Sequence, residues 1–126
     1  MFTHVMVGSN EPAKARAFYR AALGALGHEA HEKGDHTFFS DGNSGFGVGR
    51  PRDGEAACPA NGGTIGFKAK STADVDAFHA AGIAHGGTCD GKPGPRAQAP
   101  GSAYGAYLRD PDGNKICAFT PNPDAK

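Results

Sequence analysis

Six histidines, three cysteines and Arg96 are the side chains of this 126-residue chain best suited to chemistry. Imidazoles relay protons or bind metals, and thiolates bind metals or attack electrophiles. The spacing of His28, His31 and His36 matches no metal motif, so solvated strand positions are expected for them. His79 reads as a packed or half-exposed helix residue, and His85 as a residue favouring a helix C-terminus. Cys58, Cys89 and Cys117 contain no CxxC pair and are odd in number, which predicts free thiols in a reducing cytoplasm. Arg96 is the only guanidinium between Asp90 and Ser102, and a guanidinium can clamp a carboxylate or phosphate. Tyr104 and Tyr107 follow on one strand at odd spacing, so only one can face a cavity. That ring, together with Phe46, could stack a planar ligand. Lys115 alternates with Cys117 and is expected at the cavity rim.

The bulk numbers restrict what these groups can serve. Lys+Arg and Asp+Glu both total 13, so the formal charge is zero. With no basic face or charge run, neither nucleic acid nor a polybasic membrane contact is expected as a partner. No apolar run approaches a membrane span, and the opening MFTHVMVGSN does not read as a signal peptide. The 20 glycines and 9 prolines call for many tight turns, yet short periodic apolar runs recur throughout. A single α+β domain in the cytoplasm is the expectation.

The elements that must position these groups occur twice. Phe2 to Val7 alternates like a strand. Ser9-Asn10-Glu11-Pro12 then opens a helix whose Ala15, Phe18, Tyr19, Ala22 and Leu26 form one apolar stripe. Strands around His28–His31, Thr37–Ser40 and Phe46–Arg50 follow, with Asp41-Gly42-Asn43 as a hairpin turn. The pattern restarts at Thr64–Lys68, and Ser71-Thr72-Ala73-Asp74 caps a helix with Val75, Phe78 and Gly82 on one face. An offset of 60 superposes Ala17 on Ala77, Phe18 on Phe78 and Gly27 on Gly87. Asp41-Gly42-Asn43 meets Asp112-Gly113-Asn114 at an offset of 71, so the second copy holds a longer loop between Asp90 and Ser102. That loop is expected to cover the cavity mouth. Module 1 spans about 1–51, a linker about 52–63, module 2 about 64–121 and a C-terminal tail 122–126. Each module reads strand, helix, three strands, and the two are expected to pack in pseudo-twofold fashion.

This organisation resembles the vicinal-oxygen-chelate superfamily, which includes glyoxalase I, extradiol dioxygenases, fosfomycin-resistance enzymes and bleomycin-binding proteins. The resemblance rests on His4 in the opening strand, Ala15-Arg16-Ala17-Phe18-Tyr19 in the first helix, and the closing run Tyr104 to Asn114 with its Asp-Pro-Asp-Gly-Asn turn. It implies two βαβββ modules forming an open, barrel-like mixed sheet around a cavity that takes a small-molecule ligand. It also implies a divalent metal (zinc, nickel or manganese) held from the first and last strands of each module. The two offsets place those positions at His4, Thr64, Phe46 and Cys117. Phe46 cannot ligate, a threonine hydroxyl is a poor ligand, and His4 with Cys117 supplies only two borderline donors. His4 then reads as a cavity histidine or a lone metal ligand, and Cys117 as a small core residue, a pocket residue or a thiol nucleophile activated by His4. The resemblance leaves the activity open between lyase-like or dioxygenase-type chemistry with a degenerate metal site and non-catalytic sequestration of the bleomycin-resistance type. It also implies a homodimer, in which sites can be completed across chains.

Overall fold

A computed structural model describes residues 1–125; Lys126, the end of the expected tail, lies outside the described residues. Two modules of the same plan follow one another. Module 1 is β1 (His4–Gly8), α1 (Pro12–Gly24), β2 (His31–Lys33), β3 (His36–Ser40) and β4 (Gly45–Gly49). Module 2 is β5 (Ile65–Lys68), α2 (Thr72–Ala84), β6 (Thr88–Pro95), β7 (Tyr104–Arg109) and β8 (Lys115–Thr120). The sheets run β1-β4-β3-β2 (sheet A) and β5-β8-β7-β6 (sheet B), each parallel only where its first strand joins its last. Neither closes into a barrel. Among the described residues no helix is long and apolar enough to cross a membrane.

Local chemistry explains the elements. Pro12 suits the first turn of α1, where its missing N–H costs nothing. Ser71 caps α2 by accepting the Asp74 amide at 3.1 Å. The expected stripe of α1 is buried: Ala15, Phe18, Tyr19 and Ala22 are fully inaccessible, as are Val75 and Phe78 of α2. These faces meet, so that the helices lie between the two sheets and share one core with both. A run of rings joins the modules through that core. Phe18 meets Tyr19 edge-on at 4.8 Å, Tyr19 meets Phe46 at 4.9 Å, and Phe46 meets Phe67 edge-on at 5.1 Å. The modules therefore surround a core, and each sheet turns its other face outward.

Helix contact is close enough to require glycine. A methyl group on Gly87 would run into the Phe18 ring and stand 2.9 Å from the Gly82 carbonyl and 3.0 Å from that of Arg109. The carbonyls belong to backbone and cannot step aside. Gly87→Ala is expected to lower stability by about 3 kcal/mol in urea titration, with the secondary-structure spectrum retained.

The Asp110-Pro111-Asp112-Gly113-Asn114 turn does more than reverse the chain. Asp110, 4% exposed, accepts hydrogen bonds from Tyr19 Oη (2.6 Å), the amides of Asp112 and Asn114 (both 2.9 Å) and Asn114 Nδ2 (2.8 Å). Asn114 Nδ2 also donates to the Gly8 carbonyl at 3.0 Å, and the Asn10 amide donates to Asp112 at 2.8 Å. A turn of module 2 thus clasps β1 and α1 of module 1. Asn10 pins the linker in the same way, exchanging two hydrogen bonds with the backbone of Ala57 (2.9 and 2.7 Å).

Two details depart from the sequence reading. The stretch after Asp90 is no free loop: β6 continues to Pro95, with register shifts around Gly91 that let glycine and proline remain in an edge strand. The second strand of module 1 is His31–Lys33, beyond the expected His28–His31.

Candidate functional site

Register decides which side chains share a face. In sheet A, His4 pairs with Gly45 and Met6 with Gly47, while Val5 pairs with Phe46. Val5 packs on the core and Phe46 is 6% exposed within it, so His4, Met6, Gly45 and Gly47 lie on the outer face. In sheet B, Ile65 pairs with Ile116 on the core side, and Gly66 pairs with Cys117 on the outer side. The counterpart of Cys117 is therefore Gly47, not Phe46. The reason is one extra residue: Ser44 separates Asp41-Gly42-Asn43 from β4, whereas β8 starts directly after Asn114. Asp41 accepts both the Asn43 and Ser44 amides (2.8 and 2.7 Å), which fixes the longer turn and holds its carboxyl below the usual range. A slip of one residue moves a side chain to the opposite face. Phe46 belongs to the core and to the wall of the seam described below.

The four metal positions implied by the resemblance thus become His4, Gly47, Thr64 and Cys117. They do not fit a metal. Glycine brings no donor, and the space a side chain would need at Gly47 is filled by Met6 and Phe38, the latter 2.8 Å from an added Cβ. Thr64 is exposed just before β5. No group of three His, Cys, Asp or Glu with metal-binding proximity occurs among the described residues.

Nor does the chain assemble His4 with Cys117. They stand on the outer faces of different sheets, with the shared core between, and the His4 ring pairs with Thr3 Oγ1 at 2.9 Å. Burial pushes the Cys117 thiol up to about 11, although the charges of Lys115 and Arg96 pull it down. At neutral pH it is a protonated, 5%-exposed thiol, a poor nucleophile.

What the outer face of sheet B offers instead is a charged aromatic platform. Tyr107 pairs across strands with Cys117 on this face, whereas Tyr104 points toward α2 and donates to Asp76 at 2.7 Å. That hydrogen bond raises the Tyr104 phenol above its ordinary range. The Tyr107 ring carries Arg96 5.6 Å and Lys115 5.0 Å from its centroid, and Phe119 meets it edge-on at 5.6 Å. Arg96 is aimed by two carbonyls of the irregular β6, those of Gly94 (3.0 Å) and Lys92 (2.7 Å). The carboxylate on this face, Asp90, accepts from Arg109 Nε at 3.0 Å and lies 3.6 Å from Lys115. Cations outnumber it. The outer face of sheet A carries His4, Met6, His36 and Phe38, with the His36 and Phe38 rings stacked at 5.7 Å. Lys115 was legible from its alternation with Cys117; Asp90 and Phe119 were not foreseen, and neither was the His36–Phe38 stack.

A concavity lies where the modules meet. Between β1 and β5, an open cavity of about 690 Å³ is lined by apolar groups including Val5, Leu23, Phe39, Phe46 and Phe67, with Lys68 and Lys70 among its polar residues. Phe2, also in its lining, is 67% exposed. Both flanking strands are sheet edges with unpaired backbone groups. The other two edges are protected, β2 by shortness and charge, β6 by prolines and bulges.

This arrangement can be set beside known proteins. The family profile described as Glyoxalase/Bleomycin resistance protein/Dioxygenase superfamily matches residues 1–118. Among solved structures, a glyoxalase/bleomycin resistance protein from Albidiferax ferrireducens T118 is 47% identical, with a TM-score of 0.88 over 98% of this chain and 99% of that one. A glyoxalase-related enzyme from Fulvimarina pelagi (15% identity, TM-score 0.75, 98% and 88% covered) shares the fold. So does a lactoylglutathione lyase from Agrobacterium tumefaciens (23% identity, TM-score 0.64, 94% and 92% covered). No curated protein matches the sequence.

Proposed function

Because the chain belongs to the glyoxalase/bleomycin resistance protein/dioxygenase superfamily, we propose that it binds a small anionic molecule with a planar portion on the outer face of sheet B. The carrying observation is the Tyr107 ring with Arg96 5.6 Å and Lys115 5.0 Å from its centroid. The ring supplies a stacking surface, and the two cations supply partners for a carboxylate or phosphate. Binding is favoured over lyase-like chemistry by the residues available. Proton abstraction needs a free base beside the substrate, and Asp90 is already engaged by Arg109 and Lys115.

The second wall of this site comes from another copy of the chain. Each protomer turns one face of each sheet outward, leaves the edges of β1 and β5 free, and exposes Phe2 and 43% of Met6. Joining β1 of one protomer to β5 of the other, twice by symmetry, covers both edges and the seam cavity. The homodimer is proposed to act in the cytoplasm, where the free state of Cys58, Cys89 and Cys117 is maintained.

Calorimetric titration with a panel of small aromatic carboxylates and aryl phosphates tests the reading. Saturable binding of at least one member, with less than stoichiometric zinc, nickel or manganese after growth with each, is expected. A stoichiometric metal together with no binding of any panel member would contradict it.

A further inference from the structure

Away from both the platform and the seam, α2 and β6 bring together two reactive groups that the binding function does not use. His79 Nε2 lies 3.1 Å from Cys89 Sγ. The thiol is exposed and the imidazole half-buried, so a solvent-borne reagent can reach the sulfur while the ring stays packed against it. Cys89 opposes the buried Leu108 across the strands, which turns its side chain to the helix side of β6. The neighbouring Asp90 faces the other way and is tied to Arg109 and Lys115.

The three cysteines are therefore unequal. Cys117 is buried and its thiol is pushed up to about 11. Cys58 is exposed in the linker. Among the described residues only Cys89 combines access with an imidazole hydrogen-bonded to its sulfur. The charged groups around the pair are Asp76, one turn before His79 on α2, and Lys92 on β6. Asp76 is partly occupied by Tyr104 Oη at 2.7 Å. Burial, with Lys92, lowers the affinity of His79 for a proton against the pull of Asp76, so the ring is neutral near pH 7.

We infer that Cys89 is a thiol-exchange site, conjugated reversibly by low-molecular-weight disulfides with His79 as the proton acceptor. In the forward step the Cys89 proton passes to His79 Nε2 and the sulfur attacks one sulfur of the disulfide. A new S–S bond forms to Cys89 as the disulfide's own bond breaks. The departing half leaves as a thiolate and recovers the proton from His79. The small disulfide is the oxidant and is reduced to one thiol, and excess thiol reverses the reaction.

The experiment incubates the full chain with glutathione disulfide at pH 7 and follows adducts by intact mass and peptide mapping. One adduct is expected to form first, on Cys89, at least about tenfold faster than on Cys58, as an activated thiol exceeds an ordinary one. Cys89→Ser removes this fast phase and Cys58→Ser leaves it. His79→Ala and the better-packing His79→Gln, each checked for a native spectrum, slow it about tenfold at pH 7. Both differences close in denaturant, where His79 no longer stands beside the sulfur. Equal rates at Cys58 and Cys89 in the native chain, or a fast phase that survives both His79 variants, would overturn the inference.

Discussion

Asp110→Ala is expected to be the most damaging single substitution in the chain. It deletes the acceptor for four hydrogen bonds at a 4%-exposed position and strands the Tyr19 hydroxyl and the Asn114 amide. Unsatisfied buried donors next to a lost charge-assisted bond cost about 3–5 kcal/mol, on the order of 10–20 °C in melting temperature for a chain of this size. Scanning calorimetry reads that loss directly. Asp112→Ala, which removes a single bond to the Asn10 amide, should cost only about 1 kcal/mol. The same clasp sets an alkaline limit. Burial first, then the charge of Asp110, raises the Tyr19 phenol well above 10.0. The folded state therefore holds a proton that the unfolded chain gives up once pH passes about 10. The stabilisation from the neutral phenol is complete below that value and declines above it. Urea midpoints should fall as pH rises from about 9.5 to 11, and Tyr19→Phe should flatten that part of the decline.

Ligand affinity should depend most strongly on Arg96 and Tyr107. Losing a charge-assisted pair costs about 1.5–3 kcal/mol, so Arg96→Ala is expected to weaken binding of the best aromatic carboxylate about 10- to 150-fold. Tyr107→Ala removes the stacking surface and the ring beneath both cations, with a loss of about 1–2 kcal/mol. Both side chains are partly exposed and lie off the core, so melting temperature should hardly change. Tyr104→Phe serves as the control, because Tyr104 points to α2 and its loss should leave affinity intact.

The fold was readable because the duplication imposes the same periodicities twice, and each apolar stripe met its partner: Phe18 and Phe78 are both fully buried. The face of Phe46 was misread for one local reason. The Asp41 turn accommodates Ser44, and the spacing of Asp-Gly-Asn in the two copies is blind to a residue added after it. Strand β6 was read as a loop because its glycines and prolines suggest turns, while an edge strand with bulges tolerates them. Both modules carry apolar groups on their helix-covered faces, and nothing in the alternation says that those faces meet one another. That arrangement puts a core, not a ligand cavity, between the two modules of one chain and sets His4 apart from Cys117. Contacts such as His79 with Cys89 join elements whose packing sets the distance, so spacing along the chain cannot reveal them.

The most direct test of a binding site shared between protomers is complementation. One variant carries Arg96→Ala with Tyr107→Ala on sheet B; the other carries Met6→Arg, which blocks the outer face of sheet A. Each alone should fail to bind the carboxylate selected from the panel. Unfolded together and refolded, half of the dimers pair one variant with the other and rebuild one of their two sites. Calorimetry should then recover about a quarter of the wild-type binding capacity at wild-type affinity. A mixture that stays silent, or a Met6→Arg variant that binds normally alone, would show that each chain binds without its partner.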